Sequence, residues 1–149
     1  MRNCLNSLFL SIFVRAPLTL PEPNILLVVD DQMQAMEKNA AFTSLFTRKV
    51  SHTGFRLWYL VQNLFAKGKE HRTQSLNANY LVLFRNVRDV STITNIAKQL
   101  VPSNAKSFVK AYEDATRNPY SYLIVNCMQN APVQFYTNVL DPYPVVYKK

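Results

Sequence analysis

The most constraining feature of this sequence is an unbroken aliphatic run, Ile-Leu-Leu-Val-Val at residues 25–29, which ends in Asp30 and Asp31. Three prolines lie in residues 16–24, directly before the run, and make that stretch an extended connector that cannot be helical. Five consecutive aliphatic residues are typical of a strand that is buried on both faces of a parallel sheet. The run therefore predicts an α/β domain with two acids at the carboxyl end of one strand.

The hydrophobic pattern after this run alternates helices with strands. Helices are predicted at residues 32–49, 90–100 and 103–117, and strands at residues 55–61, 80–84, 122–125 and 133–139. The last two strands should pair as a C-terminal antiparallel hairpin. Because strands alternate with helices, the fold class is α/β and the expected sheet is mainly parallel. Residues 1–24 are assigned to an apolar segment with its proline-rich connector, and residues 25–149 to the α/β domain.

Composition narrows the chemistry that this chain can carry. Its 149 residues are 48% hydrophobic, which is enough for about one domain with a real core. The glycines are Gly54 and Gly68, and neither G-x-x-x-x-G-K-[ST] nor G-x-G-x-x-G occurs, so a glycine-rich phosphate-binding loop is missing. Two cysteines and two histidines do not make up a structural zinc set.

Charge and the N-terminal segment bear on partners and location. The chain has 17 Lys and Arg against 9 Asp and Glu, and the resulting charge of +8 favours a polyanionic partner such as nucleic acid. The apolar stretch at residues 5–14 is too short to span a bilayer. It fits either a core segment or a secretory signal peptide. Since no disulfide framework follows it, we expect an intracellular protein of the nucleus or cytoplasm, with no membrane partner.

Polar residues follow three of the predicted strands. They are Asp30 with Asp31, Gln62 with Asn63, and Arg85 with Asn86. In a parallel sheet, ligands bind at the carboxyl ends of the strands, and two acids, an amide and a cation there suit a metal-bound triphosphate with an attacking water. The alternative is that the acids cap the next helix, whose N-terminus attracts negative charge, and that Gln62 is a solvated loop residue.

Six blocks of the sequence, in this order, resemble the DNA-packaging ATPases of the poxvirus and Maverick/Polinton type, a viral branch of the FtsK/HerA superfamily of motors. The resemblance covers roughly residues 25–139 and implies the C-terminal part of a P-loop NTPase sheet of the RecA-like (ASCE) kind. The blocks lie at residues 25–31, 45–46 with 51–52, 60–65, 72–80, 83–89 and 122–125.

The resemblance implies roles for individual residues. Asp30 and Asp31 match the Walker B pair, with Asp30 holding Mg²⁺ and Asp31 polarising the attacking water. Gln62 matches the polar sensor on the adjacent strand, and Arg72, or less closely Arg88, matches an arginine that reaches a neighbouring subunit's nucleotide. The implied cofactors are ATP and Mg²⁺. The implied partners are double-stranded DNA, further copies in a ring and capsid components.

A basic segment after the second predicted strand is the expected nucleic-acid contact. Lys67, Lys69 and Arg72 lie in what is predicted to be a polar loop, and they could follow a phosphate backbone or simply keep the protein in solution. For Arg88, the alternative is a structural role, in which Arg88 and Asp89 form a cap or an ion pair at the start of a helix. Trp58 and Tyr59 could stack on bases, but their strand pattern favours a place in the core.

The sequence departs from the family in one important respect. The 29 residues before Asp30 contain no glycine, so the Walker A loop is missing and the chain is expected to be inactive alone. In the family, the Walker A strand lies between the strands that here end near Gln62 and Phe84. Either the apolar residues 8–14 fill that position, or the chain is a C-terminal fragment of a DNA-packaging motor. The alternative function is a non-catalytic relic or a basic DNA-binding accessory protein that keeps the fold.

Overall fold

One mixed sheet of seven strands organises the protein. The computed structural model describes residues 10–15, 25–30, 43–44, 55–61, 69–88, 90–131 and 134–147. Across the sheet, the strands follow the order β2-β3-β1-β4-β5-β6-β7. In chain order they are β1 (Leu10–Arg15), β2 (Ile25–Val29), β3 (Phe55–Val61), β4 (Tyr80–Phe84), β5 (Tyr122–Asn126), β6 (Phe135–Thr137) and β7 (Val145–Tyr147).

Three α-helices are described with their bounds: α1 (Lys69–Leu76), α2 (Val90–Leu100) and α3 (Ala105–Ala115). The apolar residues of α2 and α3 recur at helical spacing, so each helix buries one stripe and exposes the other. Pro102 begins the short 3₁₀ turn between them, Pro102–Asn104, where its fixed φ suits the first position of a helical turn. Within the described ranges, no helix has the length and apolar character that crossing a bilayer requires.

The core lies between the two amphipathic helices and one face of the sheet. Alternate residues of β4 and β5 point toward the helices, and Leu83 and Leu123 there are completely buried. Phe108 of α3 packs edge-on against Phe135 of β6, with ring centroids 5.2 Å apart. The same contact layer includes Leu57, Tyr59, Val61, Leu81, Ile93, Ile96, Ala97, Tyr112, Ala115 and Val125.

The prediction of an α/β domain with a C-terminal antiparallel hairpin is confirmed, but the prediction of a mainly parallel sheet is wrong. Of the six strand pairings, only β2 with β3 is parallel. For the two pairings of β1, the reason is the connector at residues 16–24. A parallel crossover needs about a dozen residues or more, usually with a helix. The nine residues here include three prolines, so β1 runs opposite to β2 and is antiparallel to β3.

The prediction that residues 25–29 are buried on both faces is also wrong. Among the described strands, β2 is the last on its side of the sheet, and Leu26, Leu27 and Val28 are 50%, 41% and 52% exposed. An aliphatic run shows that a strand is apolar, but it does not show whether a neighbour lies on each side. β2 is therefore an edge strand with apolar side chains on both faces.

Two further predictions concern the segments around β3. The segment predicted to be a polar loop is helical from Lys69 onward, where α1 begins. A helix is possible there because residues 69–76 contain no proline or glycine. Most of the helix predicted at residues 32–49 lies outside the described residues, although residues 43–44 are helical. The predicted helices at 90–100 and 103–117 correspond to α2 and to the 3₁₀ turn with α3.

The Phe108 contact gives a direct test of the core. Phe108→Ala removes a ring that is 1% exposed, so we expect the free energy of unfolding to fall by about 3 to 5 kcal/mol. Urea unfolding followed by circular dichroism measures this change. Tyr120→Ala is the matched control, because Tyr120 is 95% exposed and its loss should change stability by no more than about 0.5 kcal/mol. Equal losses in both variants would mean that Phe108 does not belong to the core.

Candidate functional site at the carboxyl edge of the sheet

The carboxyl ends of β2, β3 and β4 lie at one edge of the sheet. β2 and β3 are parallel neighbours, with Val29 opposite Tyr59. β1 is antiparallel to both β3 and β4, and its residue Leu10 lies opposite Val61 on one side and Leu83 on the other. β3 and β4 therefore run in the same direction. The edge where the three strands end is where open α/β sheets bind ligands.

Only some of the predicted strand-end residues can be located at this edge. Asp30 directly follows β2, and its side chain is exposed. Asp31 and Gln62 fall outside the described residues, so their roles and the convergence of their side chains remain predictions. Because adjacent strands are about 4.8 Å apart, the end of β3 is close to Asp30, whereas Arg85 after β4 is about 14 Å away across the sheet. Asp30 and Arg85 therefore belong to separate parts of the edge.

β1 occupies the position between β3 and β4, as one of the two alternatives expected, but it runs in the opposite direction. Its first residue, Leu10, is at the edge where β3 and β4 end, and its last residue, Arg15, is opposite Arg56 near the other edge. In P-loop proteins the phosphate-binding loop follows the carboxyl end of its strand. A loop after β1 would therefore leave the sheet at the wrong edge to hold phosphates near Asp30.

A hydrogen-bonded turn forms the part of the edge that follows β4. The Tyr112 hydroxyl of α3 donates to the carbonyl oxygen of Phe84 (2.9 Å) and accepts from the backbone N–H of Asn86 (2.9 Å). The Asn86 side-chain oxygen accepts from the backbone N–H of Arg88 (2.9 Å), which turns the chain toward α2. Tyr112 thus fixes the turn between β4 and α2 to the helix layer.

The electrostatics of this turn keep the phenol neutral. Burial raises the pKa of Tyr112, although the Asn86 N–H and the nearby Arg85 guanidinium act in the opposite direction. The Arg85 guanidinium itself donates to the carbonyl oxygen of Arg117 (3.3 Å), which links this turn to the end of α3. A protonated phenol at neutral pH is what the bond to Phe84 requires, because only the O–H form can donate.

A cavity of about 240 Å³ opens beside this turn. Apolar side chains form part of its wall, and its polar groups come from Arg85, Asn86, Tyr112, Glu113 and Thr116. Ligand pockets for drug-sized molecules are about 300 to 1,000 Å³, so this cavity is too small for a nucleotide. The position of Arg85 and Asn86 at the end of a strand was predicted from the sequence. Tyr112 and Glu113 were not singled out, because an amphipathic pattern predicts a helix but not which groups its side chains contact.

The basic residues proposed from the sequence are only partly located. Lys69 and Arg72 are in α1, and Lys67 lies outside the described residues. In the same helix, Gln74 is 1% exposed, and its side-chain N–H donates to the Thr43 hydroxyl (3.2 Å). This buried amide, which the sequence analysis did not single out, connects α1 to residues 43–44. Arg88 is exposed, and its backbone N–H is used in the turn described above.

A second cavity of the described region is lined by Cys127, whose thiol is not nucleophilic. Cys127 lines a space of about 180 Å³ between α2 and the start of β4. Burial raises the pKa of its thiol to about 11, so the thiol is protonated and unreactive at neutral pH. Its backbone N–H donates to the carbonyl oxygen of Asn79 (2.8 Å), which holds the end of β5 beside β4.

The described residues do not include a complete ATP–Mg²⁺ site, and Asp31 and Gln62 of the predicted site lie outside them. Within them, no group of three or more His, Cys, Asp or Glu side chains could hold a metal ion, and Asp30 is an exposed carboxylate at a sheet edge. Magnesium in nucleotide sites uses one or two carboxylates together with the phosphates, which need their own cradle. The strand position that would deliver that cradle is taken by the reversed β1.

Comparisons of the chain with family models, with curated proteins and with solved structures find no match. The geometry is that of a mixed α/β sheet with polar strand ends at one edge, a small cavity after β4 and a strongly basic overall charge.

Removal of the Tyr112 hydroxyl tests whether this group stabilises the turn after β4. Tyr112→Phe leaves the Asn86 N–H and the Phe84 carbonyl without their shared partner, so we expect about 1 to 3 kcal/mol less stability by urea unfolding. Tyr120→Phe removes a hydroxyl from a side chain that is 95% exposed and should leave stability unchanged. If Tyr112→Phe is as stable as the parent protein, the hydroxyl does not support the turn.

Proposed function

We propose that this protein is a non-catalytic, basic DNA-binding accessory protein that keeps the strand order of a packaging-ATPase sheet without its nucleotide chemistry. The observation that carries the proposal is the direction of β1, which lies between β3 and β4 and is antiparallel to both. Phosphoryl transfer depends on positioning of the phosphates and on charge stabilisation around them. A sheet whose central position carries a reversed strand lacks the scaffold for that positioning.

The charge supports DNA as the ligand. A net charge of +8 attracts a polyanion from solution, and contacts from Lys and Arg to phosphates release bound counterions. On α2 and α3, Lys98, Lys106 and Lys110 are exposed, so part of this charge is on the helix side of the molecule. The segment containing Lys67, Lys69 and Arg72 is the second basic region, and α1 gives its last two members a helical backbone.

The two basic regions make different predictions for salt dependence. If Lys67, Lys69 and Arg72 each meet one phosphate, replacing all three by Ala should reduce the slope of log K against log salt concentration by about 2 to 3 units. Fluorescence anisotropy of a labelled 20-base-pair duplex, titrated at several salt concentrations, measures that slope. Binding should be indifferent to sequence, because phosphate contacts carry no base information.

A matched control separates a DNA site from general charge. The variant with Lys98, Lys106 and Lys110 replaced by Ala loses the same three charges from α2 and α3, where all three side chains are exposed. A smaller change in slope for this control places the duplex on the 67–72 segment. Equal slopes in the two variants contradict that placement, and no duplex binding at low salt by the parent protein contradicts the proposed function.

A second candidate, the C-terminal fragment of a DNA-packaging motor, is favoured by one observation. β2 and β3 are parallel neighbours, and the residues that follow them, with Asp30 first, come at the same sheet edge. Such a motor would act in a ring with other copies and with capsid components, using ATP and Mg²⁺.

Phosphate release from ATP and Mg²⁺ distinguishes the two candidates. We expect none above the protein-free blank, because the described sheet offers no position for a phosphate cradle at the edge where Asp30 lies. A malachite-green assay of the purified chain, with and without duplex DNA, measures it. Release that disappears in Asp31→Asn and persists in Asp141→Asn, a control acid far along the sequence, would establish the motor candidate instead.

A further inference from the structure

The face of the sheet opposite α2 and α3 is aromatic and open to solvent. Side chains alternate along each strand, so the residues between the buried positions of β4, β5 and β6 point away from the helices. These positions are partly exposed, and the neighbouring strands extend the face on both sides. We call this surface the open face; its described members are Leu26, Val28, Arg56, Trp58, Leu60, Tyr80, Val82, Phe84, Tyr122, Ile124, Asn126, Tyr136 and Val146.

The strand register makes the open face continuous from β4 to β7. Val82 is opposite Ile124, Ile124 is opposite Tyr136, and Tyr136 is opposite Val146. Beside this row, the rings of Phe84 and Tyr122 lie 5.9 Å apart at an angle of 59°. Burial raises the pKa of Tyr136, and the Tyr80 phenol acts in the same direction.

The composition of this face is unusual for a sheet surface in contact with water. The solvent side of an antiparallel sheet normally carries polar residues. Here Trp58 is 42% exposed and Val146 is 48% exposed, and the described positions of β4 to β7 on this face hold Asn126 as their one amide, with no charged side chain. Flat rings at several positions of one surface are the feature that sequence-tolerant proteins use to stack unpaired bases.

The net charge of the chain favours an anionic partner for this aromatic surface. Arg56 lies on the open face, its register partner on β1 is Arg15, and Asp30 follows β2 at a corner of the sheet. The chain as a whole carries +8, so a polyanion is attracted to it, whereas two copies stacked face to face would bring like charges together. We propose that the open face binds single-stranded nucleic acid, with bases stacked on Trp58, Tyr80 and Tyr136 and the phosphates attracted by the basic charge.

This site is distinct from the one proposed for duplex DNA. In a duplex the bases are stacked on each other and only their edges are accessible in the grooves. A ring on a sheet surface can contact the flat side of a base only when the strand is unpaired. The open face is therefore expected to discriminate single strands from duplexes, which the basic residues alone would not do as strongly.

The chain contains its own probe for this interaction. Trp58 is the single tryptophan of the sequence, so tryptophan fluorescence reports on the open face alone. Titration with a 12-nucleotide oligothymidylate at low salt should quench this fluorescence to saturation. A duplex of the same length should leave it nearly unchanged at the concentrations that saturate the single strand.

Substitutions test whether the rings supply the affinity. Tyr80→Leu and Tyr136→Leu keep an apolar side chain but remove the ring, and each should weaken oligothymidylate binding about 5- to 150-fold, the range expected for one stacked base. Tyr120→Leu and Tyr143→Leu are matched controls, because these tyrosines are 95% and 88% exposed and lie outside the open face. The controls should bind as the parent protein does. Urea unfolding of every variant separates lost binding from lost folding.

Several outcomes would overturn the inference. One is the absence of quenching by the single strand, and another is equal quenching by single strand and duplex. Equal weakening in the open-face and control variants would also contradict it. Sedimentation of the protein alone gives a further test, since self-association that is abolished by Tyr136→Leu would make a second copy the occupant. The labelled-duplex assay stays independent: failure there removes the proposed function, while quenching by the single strand alone leaves the open face as a binding site.

Discussion

The pairing of β1 with both β3 and β4 is the interaction on which the rest of the structure depends. β1 lies opposite residues 56–61 of β3 on one side and opposite Tyr80 to Leu83 of β4 on the other. Without it, the pair β2–β3 and the four strands β4–β7 have no common neighbour. The direction of this one strand also determines that the chain after β1 leaves the sheet at the edge opposite the one where Asp30 lies.

The elements that could be predicted from the sequence are those whose own periodicity defines them. The pattern of Ile93, Ile96 and Ala97 indicates an amphipathic helix, and α2 has the predicted bounds. The direction of β1 could not be obtained in that way, because periodicity says nothing about neighbours. The length of the connector at residues 16–24 contains the missing information, since nine residues with three prolines cannot make a parallel crossover.

The candidate site was predictable to the extent that it depends on strand ends. Arg85 and Asn86 follow an apolar run and lie at a cavity beside the sheet, as the rule for α/β sheets suggests. Tyr112 was not predictable, because a buried position on a helix does not tell which backbone groups its hydroxyl will reach across 26 and 28 residues. Trp58 was expected in the core together with Tyr59; Tyr59 is buried, whereas alternation puts Trp58 on the opposite face.

The exposed edge of β2 has a consequence for how copies of the protein behave in a crowded solution. Edge strands in natural sheets are often protected from pairing with other chains by a lysine or a proline. Residues 25–29 contain neither lysine nor proline. Backbone groups along this strand can template a further strand from another chain. The charge of +8 opposes such contact through mutual repulsion, so salt and polyanions, which weaken that repulsion, would shift the balance toward edge-to-edge aggregation.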